Sequence, residues 1–513
     1  MPTRSNLSLY FFENAAAYPE KIALFTDGRE ISYGELAARA ATLSRLIKER
    51  TPPNSPVALL GADTVDIYAA LLASLHAGIC YVPVSPWFPT SYVKGLLSKA
   101  GCTLLIHDKN GARHIDDFAV PSLDLSSVPF DGEMEHFPSP ASVQPDSVVH
   151  IMFTSGSTGP PKMVGQTLSN IDAYLKASHM RYHFSRDDRV SHFNELGWDP
   201  YLLDLFGAWD VGAATYCVPK GARLAPAAFI RDHQLTTWYS VPSVVSLLER
   251  MGAIRANLFP SLRLTLFVGE PLQPATVTKW LAAAPHSAVE NVYGPTECTV
   301  VCTGYRIKPN IVHESATPGR GHLPLGTPYE GCELAILDAD RNFLPEDVVG
   351  EIAISGPQLA PGYLGEPQKT EQVFVKLKSA GGKVKRWYLT GDMGMLTRDG
   401  NLHFLGRADG QIKVMGNRVE LEAVESALMA IEGAGEVAVV AGPIEDGLTK
   451  CLLAAVRGCE LSASELKRKA GKLIPTYMVP RDFFPVDEFP QNYNGKLDRK
   501  ALRDGLLALA GRA

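Results

Sequence analysis

The sequence predicts an α/β protein with a large N-terminal unit of several subdomains, followed by a small, mobile α+β unit. Three observations carry this expectation. At 513 residues the chain exceeds one ordinary hydrophobic core, so two or more domains are expected. Residues 1–400 alternate short apolar strands with Ala/Leu-rich helical stretches. Near residue 407 the pattern changes, and a polar, glycine-flanked segment, Gly406-Arg407-Ala408-Asp409-Gly410-Gln411, precedes the rest of the chain. The expected division is therefore 1–406 and 407–513, with a hinge near 407–410.

In chain order, the Ala/Leu-rich stretch Ile67–Ala77 reads as a helix ended by Gly78, and Ile79-Cys80-Tyr81-Val82-Pro83-Val84 as a buried strand. Residues 108–146 are rich in Asp, Ser and Pro and read as surface loop. Val148–Phe153 is a β-rich apolar run, and helix-start residues follow at Thr167, Ser169 and Asn170. Asn401–Leu405 reads as a strand, and Val419–Ile431, with Glu420, Glu422 and Glu425, as a helix.

Apolar residues make up 46% and charged residues 20% of the chain, as in a soluble globular protein. No apolar run is long enough to cross a bilayer, and the patch Leu9-Tyr10-Phe11-Phe12 is too short for a signal-peptide core. The net charge of −6 gives no reason to expect nucleic acid or an anionic membrane as partner. The eight cysteines form no C-x-x-C pair, and Cys298 and Cys302 have no nearby histidine to complete a metal site. Reduced, mostly buried thiols and a cytoplasmic location are expected.

Between the apolar run 148–153 and the helix-start residues lies Thr154-Ser155-Gly156-Ser157-Thr158-Gly159-Pro160-Pro161-Lys162. Four hydroxyls, two glycines and a lysine suit an anion: glycines let backbone N–H groups approach, hydroxyls add donors and the lysine adds a mobile charge. The Walker A spacing is absent, so the nucleotide would be held by another architecture.

Further segments follow in order. They are Leu75-His76-Ala77-Gly78-Ile79-Cys80-Tyr81-Val82-Pro83, Asn291-Val292-Tyr293-Gly294-Pro295-Thr296-Glu297, Gly350-Glu351-Ile352, Tyr388-Leu389-Thr390-Gly391-Asp392, the polar segment from Gly406 to Lys413, Pro475-Thr476-Tyr477-Met478-Val479-Pro480 and Asn494-Gly495-Lys496-Leu497-Asp498. With the 154–162 loop, this series resembles the adenylate-forming superfamily, specifically the amino-acid adenylation domains of nonribosomal peptide synthesis and the D-alanine–carrier-protein ligases. The similarity runs from about residue 8 to residue 502. It implies that a carboxylate and ATP give an acyl-adenylate and pyrophosphate, and that a thiol then displaces AMP.

The resemblance also implies roles. Lys496 would bridge carboxylate, ribose and α-phosphate, arriving with the small domain and leaving when it rotates. Glu297 would hold Mg²⁺, a hard cation that often takes only one or two carboxylates. Thr296 and Thr158 would contact phosphate, together with Thr154, Ser155, Gly156, Ser157, Gly159 and Lys162. Tyr293, Gly294 and Asn291 resemble one side of the adenine site, and Gly269-Glu270-Pro271 the other. Asp392 resembles the carboxylate that accepts the ribose hydroxyls, Arg407 a second ribose or phosphate contact, and Asp409 the hinge.

For the acid, Trp198-Asp199-Pro200 begins a segment similar to the family's substrate motif. There, Asp199 would bind the α-ammonium of an amino acid. A carboxylate in an apolar pocket is costly unless paired, and an ammonium supplies the pair. The remaining pocket positions would be Pro200, Leu203, Ser240, Leu266, Val268, Val292, Val300 and Val301, all apolar but one. A small or medium apolar amino acid follows, with alanine, valine and proline leading. The sequence departs from the family pattern at Tyr201, at Asn194-Glu195-Leu196-Gly197 and at Pro361. Matching segments reach almost to the last residue, so the expected acceptor is a separate carrier protein with a phosphopantetheine arm. The alternatives are an acyl-CoA synthetase for an acid without an amino group, and a non-catalytic nucleotide binder.

Overall fold

The computed structural model describes residues 4–130, 137–156, 159–318, 320–378, 382–407, 411–445, 448–491 and 497–511. Lys496, Ser157, Thr158 and Asp409 lie outside the described residues. Among the described residues, no helix is long and apolar enough to cross a membrane.

Two large sheets build most of the N-terminal unit. The first runs in the order Thr327–Pro328, Thr303–Arg306, Ala288–Tyr293, Leu264–Val268, Thr237–Ser240, Arg189–His192, Ala214–Cys217, Ile22–Thr26 and Arg29–Ser32. Its centre is parallel and its ends are antiparallel. The second runs Ser122–Asp124, Leu104–His107, Val57–Leu60, Tyr81–Val84, Val148–Gly156 and Gly159–Thr167. Strands such as Val57–Leu60 and Leu104–His107 are buried at every position, which is why they read as unbroken apolar runs instead of alternating ones.

The largest apolar cluster joins the two sheets through the helices Tyr33–Arg50, Val65–His76 and Leu168–Tyr182. Leu168–Tyr182 is started by a capping box in which Thr167 and Asn170 satisfy each other's backbone N–H groups. The expected helix at Ile67–Ala77 spans Val65–His76, and Gly78 follows at φ +72°. Residues 108–146 hold more structure than expected, with short helical turns at Ala112–Asp117 and Leu125–Ser127 besides the edge strand Ser122–Asp124.

A third sheet combines Glu333–Leu337, Gly350–Ser355, Val384–Leu396, Phe374–Lys378 and Leu402–Arg407. Beyond it, residues 411–511 form their own apolar clusters on the two faces of the sheet Glu436–Ala441, Leu452–Arg457, Asp482–Pro485. One face carries Val437 and Val439 against Val414, Val419 and the helix Leu421–Met429. The other carries Ala438 and Val440 against Leu497 and the helix Arg499–Ala510. The helix expected over Val419–Ile431 is shorter because Asn417–Glu420 is the second strand of a hairpin with Gln411–Val414. Glu422 and Glu425 of that helix are paired with Arg499 at 2.9 and 2.6 Å.

Candidate functional site

A cavity of about 380 Å³ opens where several strands end. The parallel strands Arg189–His192, Thr237–Ser240, Leu264–Val268 and Ala288–Tyr293 hand on directly to Phe193 and Asn194, Val241, Gly269 and Gly294, all of which face it. The second sheet contributes Val84 and Met152-Phe153-Thr154. The carboxyl edge of a parallel sheet is where α/β folds place ligands, because the connecting loops diverge there.

Asp199 lies on this wall and is 9% exposed. Its Oδ2 has no hydrogen-bond partner. Burial pushes its carboxyl up to about 6, although the Thr296 hydroxyl and the Val300 main chain pull the other way. Trp198, Pro200, Val268 and Val300 share the wall. Asp204, five residues further on, is turned away and accepts from His192 Nδ1 at 3.2 Å and Asn194 Nδ2 at 3.3 Å. Tyr201 is fully buried and also points away, bonding His150 Nε2 at 3.1 Å and the Tyr81 hydroxyl. Its bulk therefore does not intrude on the cavity.

Five expected pocket residues do not reach the cavity wall: Leu203, Ser240, Leu266, Val292 and Val301. Leu203, Leu266, Val292 and Val301 pack in the main core, and Ser240 Oγ donates to the Val241 carbonyl at 3.2 Å while accepting from Trp238 Nε1 at 2.8 Å.

The nucleotide candidates divide similarly. Tyr293, Gly294, Thr296, Thr154, Gly269, Asp392 and Arg407 all face the cavity. The Tyr293 hydroxyl donates to Asp392 Oδ2, and Arg407 Nη1 donates to Oδ1 at 2.6 Å. Asn291 does not reach the wall, because its amide donates to the Pro324 carbonyl at 2.7 Å. Glu270 is also set back, accepting from the Ser243 N–H at 2.9 Å and hydroxyl at 3.1 Å, and Pro271 lies off the wall beside it. The 154–162 segment is part of a β-hairpin, with Thr154 opposite Lys162 and Gly156 opposite Gly159. A strand, Gly159–Thr167, therefore follows the loop before the helix begins. Thr154 Oγ1 is buried without a partner.

Glu297 is fully buried one step behind the wall. Burial opposes its ionisation, yet Arg418, the Tyr363 hydroxyl at 2.7 Å and Lys162 outweigh that and hold it below the usual carboxylate range. Arg418 Nη1 lies 3.4 Å from both carboxylate oxygens. An ionised carboxylate is the kind of hard oxygen donor that magnesium takes, but Arg418 and the Tyr363 hydroxyl engage Glu297 in this structure. Among the described residues no cluster of three metal-binding side chains occurs.

The sequence reading missed the hairpin Gln411–Glu420, which brings Lys413, Met415, Gly416 and Arg418 to the cavity. Gly416 has φ +81°, and an added Cβ would sit 2.8 Å from Val241 Cγ1. Its signal was present in the apolar residues Ile412, Val414 and Val419 on either side of the turn Met415-Gly416. The unusual Glu195 accepts from Ser85 Oγ at 3.1 Å and from Arg223 at 2.7 Å. Pro361, another departure from the family pattern, offers its carbonyl to Arg386.

Comparison with known proteins identifies the family. Residues 11–364 match the family described as AMP-binding enzyme, and residues 423–496 the AMP-binding enzyme C-terminal domain. Two plipastatin synthase subunits of Bacillus subtilis are each 32% identical to the chain, over 506 and 498 residues. They cover 98% and 96% of this chain, whereas the chain spans only 19% of either subunit's length. The L-proline--[L-prolyl-carrier protein] ligase of Pseudomonas fluorescens is 31% identical, with 95% of this chain and 96% of that one covered. Among solved structures, the Vibrio cholerae adenylation domain AlmE, in complex with glycyl-adenosine-5'-phosphate, superposes with a TM-score of 0.85 at 26% identity over 99% of each chain. IdnL7 does so at 0.71 and 30%, covering 98% of this chain and 99% of that one. The chain belongs to the AMP-binding enzyme family.

Proposed function

We propose that this chain activates a small or medium apolar amino acid as aminoacyl-AMP and passes it to the phosphopantetheine thiol of a carrier protein. The observation that carries this reading is Asp199, a buried carboxylate on the cavity wall with one oxygen lacking any partner. An unpaired buried charge is destabilising, and an α-ammonium group would pair it. An acid without an amino group would leave Asp199 unpaired.

In the first step a substrate carboxylate oxygen forms a bond to the α-phosphorus, the α–β phosphoanhydride bond breaks, and pyrophosphate leaves. Asp392 is suited to two ribose hydroxyls: a carboxylate has about four acceptor positions, and Tyr293 and Arg407 engage one on each oxygen. Thr154 and Thr296 line the cavity and would contact phosphate. Glu297 would hold Mg²⁺, which neutralises phosphate charge when bound. Lys496 would bridge the two anionic reactants. In the second step the thiolate forms a C–S bond, the acyl C–O bond breaks, and AMP leaves.

The hairpin Gln411–Glu420 at the cavity and Leu497 lie on opposite faces of the small domain's sheet. That placement supports a division of labour: one orientation of the domain presents Lys496 for adenylation, another presents the hairpin for transfer, and residues 407–410 are the hinge. The test is exchange of labelled pyrophosphate into ATP. Exchange that depends on an amino acid and is lost in Asp199→Ala supports the reading. Exchange with acids lacking an amino group, unchanged in that variant, identifies an acyl-CoA synthetase instead.

A further inference from the structure

Behind the cavity wall, a row of polar side chains crosses the second sheet. Tyr81, His150 and Gln166 sit on three adjacent strands, with His150 in register with Tyr81 on one side and Gln166 on the other. Paired positions on neighbouring strands bring their side chains together. Tyr201, two residues after Asp199, docks on this row, and all four residues are fully buried.

Their hydrogen bonds run in one direction only. Gln166 Nε2 donates to the Thr296 carbonyl at 3.2 Å, so Oε1 is the end that meets His150. His150 Nδ1 therefore carries the proton in that 2.9 Å bond, and Nε2, the acceptor, takes the Tyr201 hydroxyl at 3.1 Å. The Tyr201 oxygen accepts in turn from the Tyr81 hydroxyl. Burial pushes His150 down to about 4, so the imidazole stays neutral at pH 7, as an acceptor Nε2 requires.

Both ends of this chain of bonds reach Asp199. At one end, the Leu202 N–H donates to the Asp199 carbonyl at 3.0 Å and the Tyr201 N–H to the Trp198 carbonyl at 3.3 Å, so Tyr201 is rooted in the turn that presents the carboxylate. At the other end, Gln166 holds the Thr296 main chain, and the Thr296 hydroxyl stabilises the ionised Asp199 carboxylate. The path thus closes on itself, and Asp199 Oδ2 is left unpartnered at the cavity. A dry network with one allowed direction holds one geometry, because any other leaves a buried polar group unpaired. Tyr81, His150, Gln166 and Tyr201 are all absent from the cavity wall, so substrate contact does not account for them.

We propose that Gln166, His150 and Tyr201 are positioning residues for amino-acid recognition, which act through Thr296 and the Asp199 turn to fix the carboxylate where it meets the α-ammonium group. This rests on the reading of Asp199 as the ammonium-binding group.

The experiment measures dissociation constants, by calorimetry, of acyl-sulfamoyl-adenosines, stable analogues of an acyl-adenylate. Alanyl, valyl and prolyl compounds are each paired with the counterpart lacking the amino group: propionyl, isovaleryl and cyclopentanecarbonyl. In the full-length wild type the amino group should tighten binding by about 10- to 100-fold in the best pair, the worth of a hydrogen bond to a charged group. In Gln166→Leu and Tyr201→Phe that gain should shrink by about tenfold, while the compounds without the amino group bind within about twofold of wild type. Equal weakening of both members of a pair marks a merely structural role and overturns the proposal, as does an undiminished gain in the folded variants. Either result leaves amino-acid activation standing. An amino group that adds nothing in the wild type overturns the reading of Asp199 and this proposal with it. Tyr201→Phe removes a single oxygen and keeps the ring, so it carries the test should Gln166→Leu not fold, as judged by its melting curve.

Discussion

Asp199 is both the proposed binding group and a local weakness. The rise of its carboxyl from 3.8 to about 6 means that carrying the ionised form at pH 7 costs on the order of 3 kcal/mol. Asp199→Asn should therefore abolish amino-acid-dependent exchange yet move the urea midpoint upward with the slope unchanged. The sign of the pH dependence follows from the same shift: below about 6 the carboxyl is protonated and loses its attraction for an ammonium, so KM for the amino acid should rise as pH falls through that value, while KM for ATP stays flat. That Asp199, Tyr293, Asp392 and Arg407 meet at one cavity was legible because each sits in a short contiguous motif. Asn291 and Glu270 sit in such motifs too, but their side chains are directed to nearby backbone groups, which only the folded chain reveals.

At the scale of elements, the hairpin Gln411–Glu420 is where sequence reading fell short. Glutamates at 420, 422 and 425 imitate a helix face, whereas Val419 and Glu420 belong to a strand because the register with Gln411 and Ile412 buries Val419. Arg418 of this hairpin lies 3.4 Å from Glu297. Arg418→Ala should slow thiol transfer by about tenfold, the loss expected from one partly buried charge contact. Pyrophosphate exchange should stay within about twofold, as separate stopped assays of the two steps would show. The turn at Thr299 and Val300 was illegible for a related reason: its backbone angles are held by a strap from Gln358, almost sixty residues away in the chain.

At the scale of the molecule, the two-unit plan was readable from the change of pattern near residue 407, but the orientation of the units was not, since it rests on contacts between distant segments. Ser91 Oγ donates to the Lys472 carbonyl at 2.9 Å, and the rings of Trp198 and Tyr477 lie 5.6 Å apart. A disulfide between Ser91→Cys and Lys472→Cys should hold this orientation. Oxidation is expected to suppress pyrophosphate exchange by about 10²-fold, comparable to losing the proposed bridging charge of Lys496, and reductant to restore it. Exchange at full rate in the oxidised double variant, with the cross-link verified by mass spectrometry, would show that no rotation is needed.

The bare backbone at Gly416 has a further consequence. With nothing but hydrogen beyond its Cα, the hairpin tip closes flush on Val241. A methyl group there would prop the tip open and let bulk water reach the mixed anhydride. Gly416→Ala should thus turn a ligase into a wasteful ATPase, releasing AMP steadily with no acceptor present.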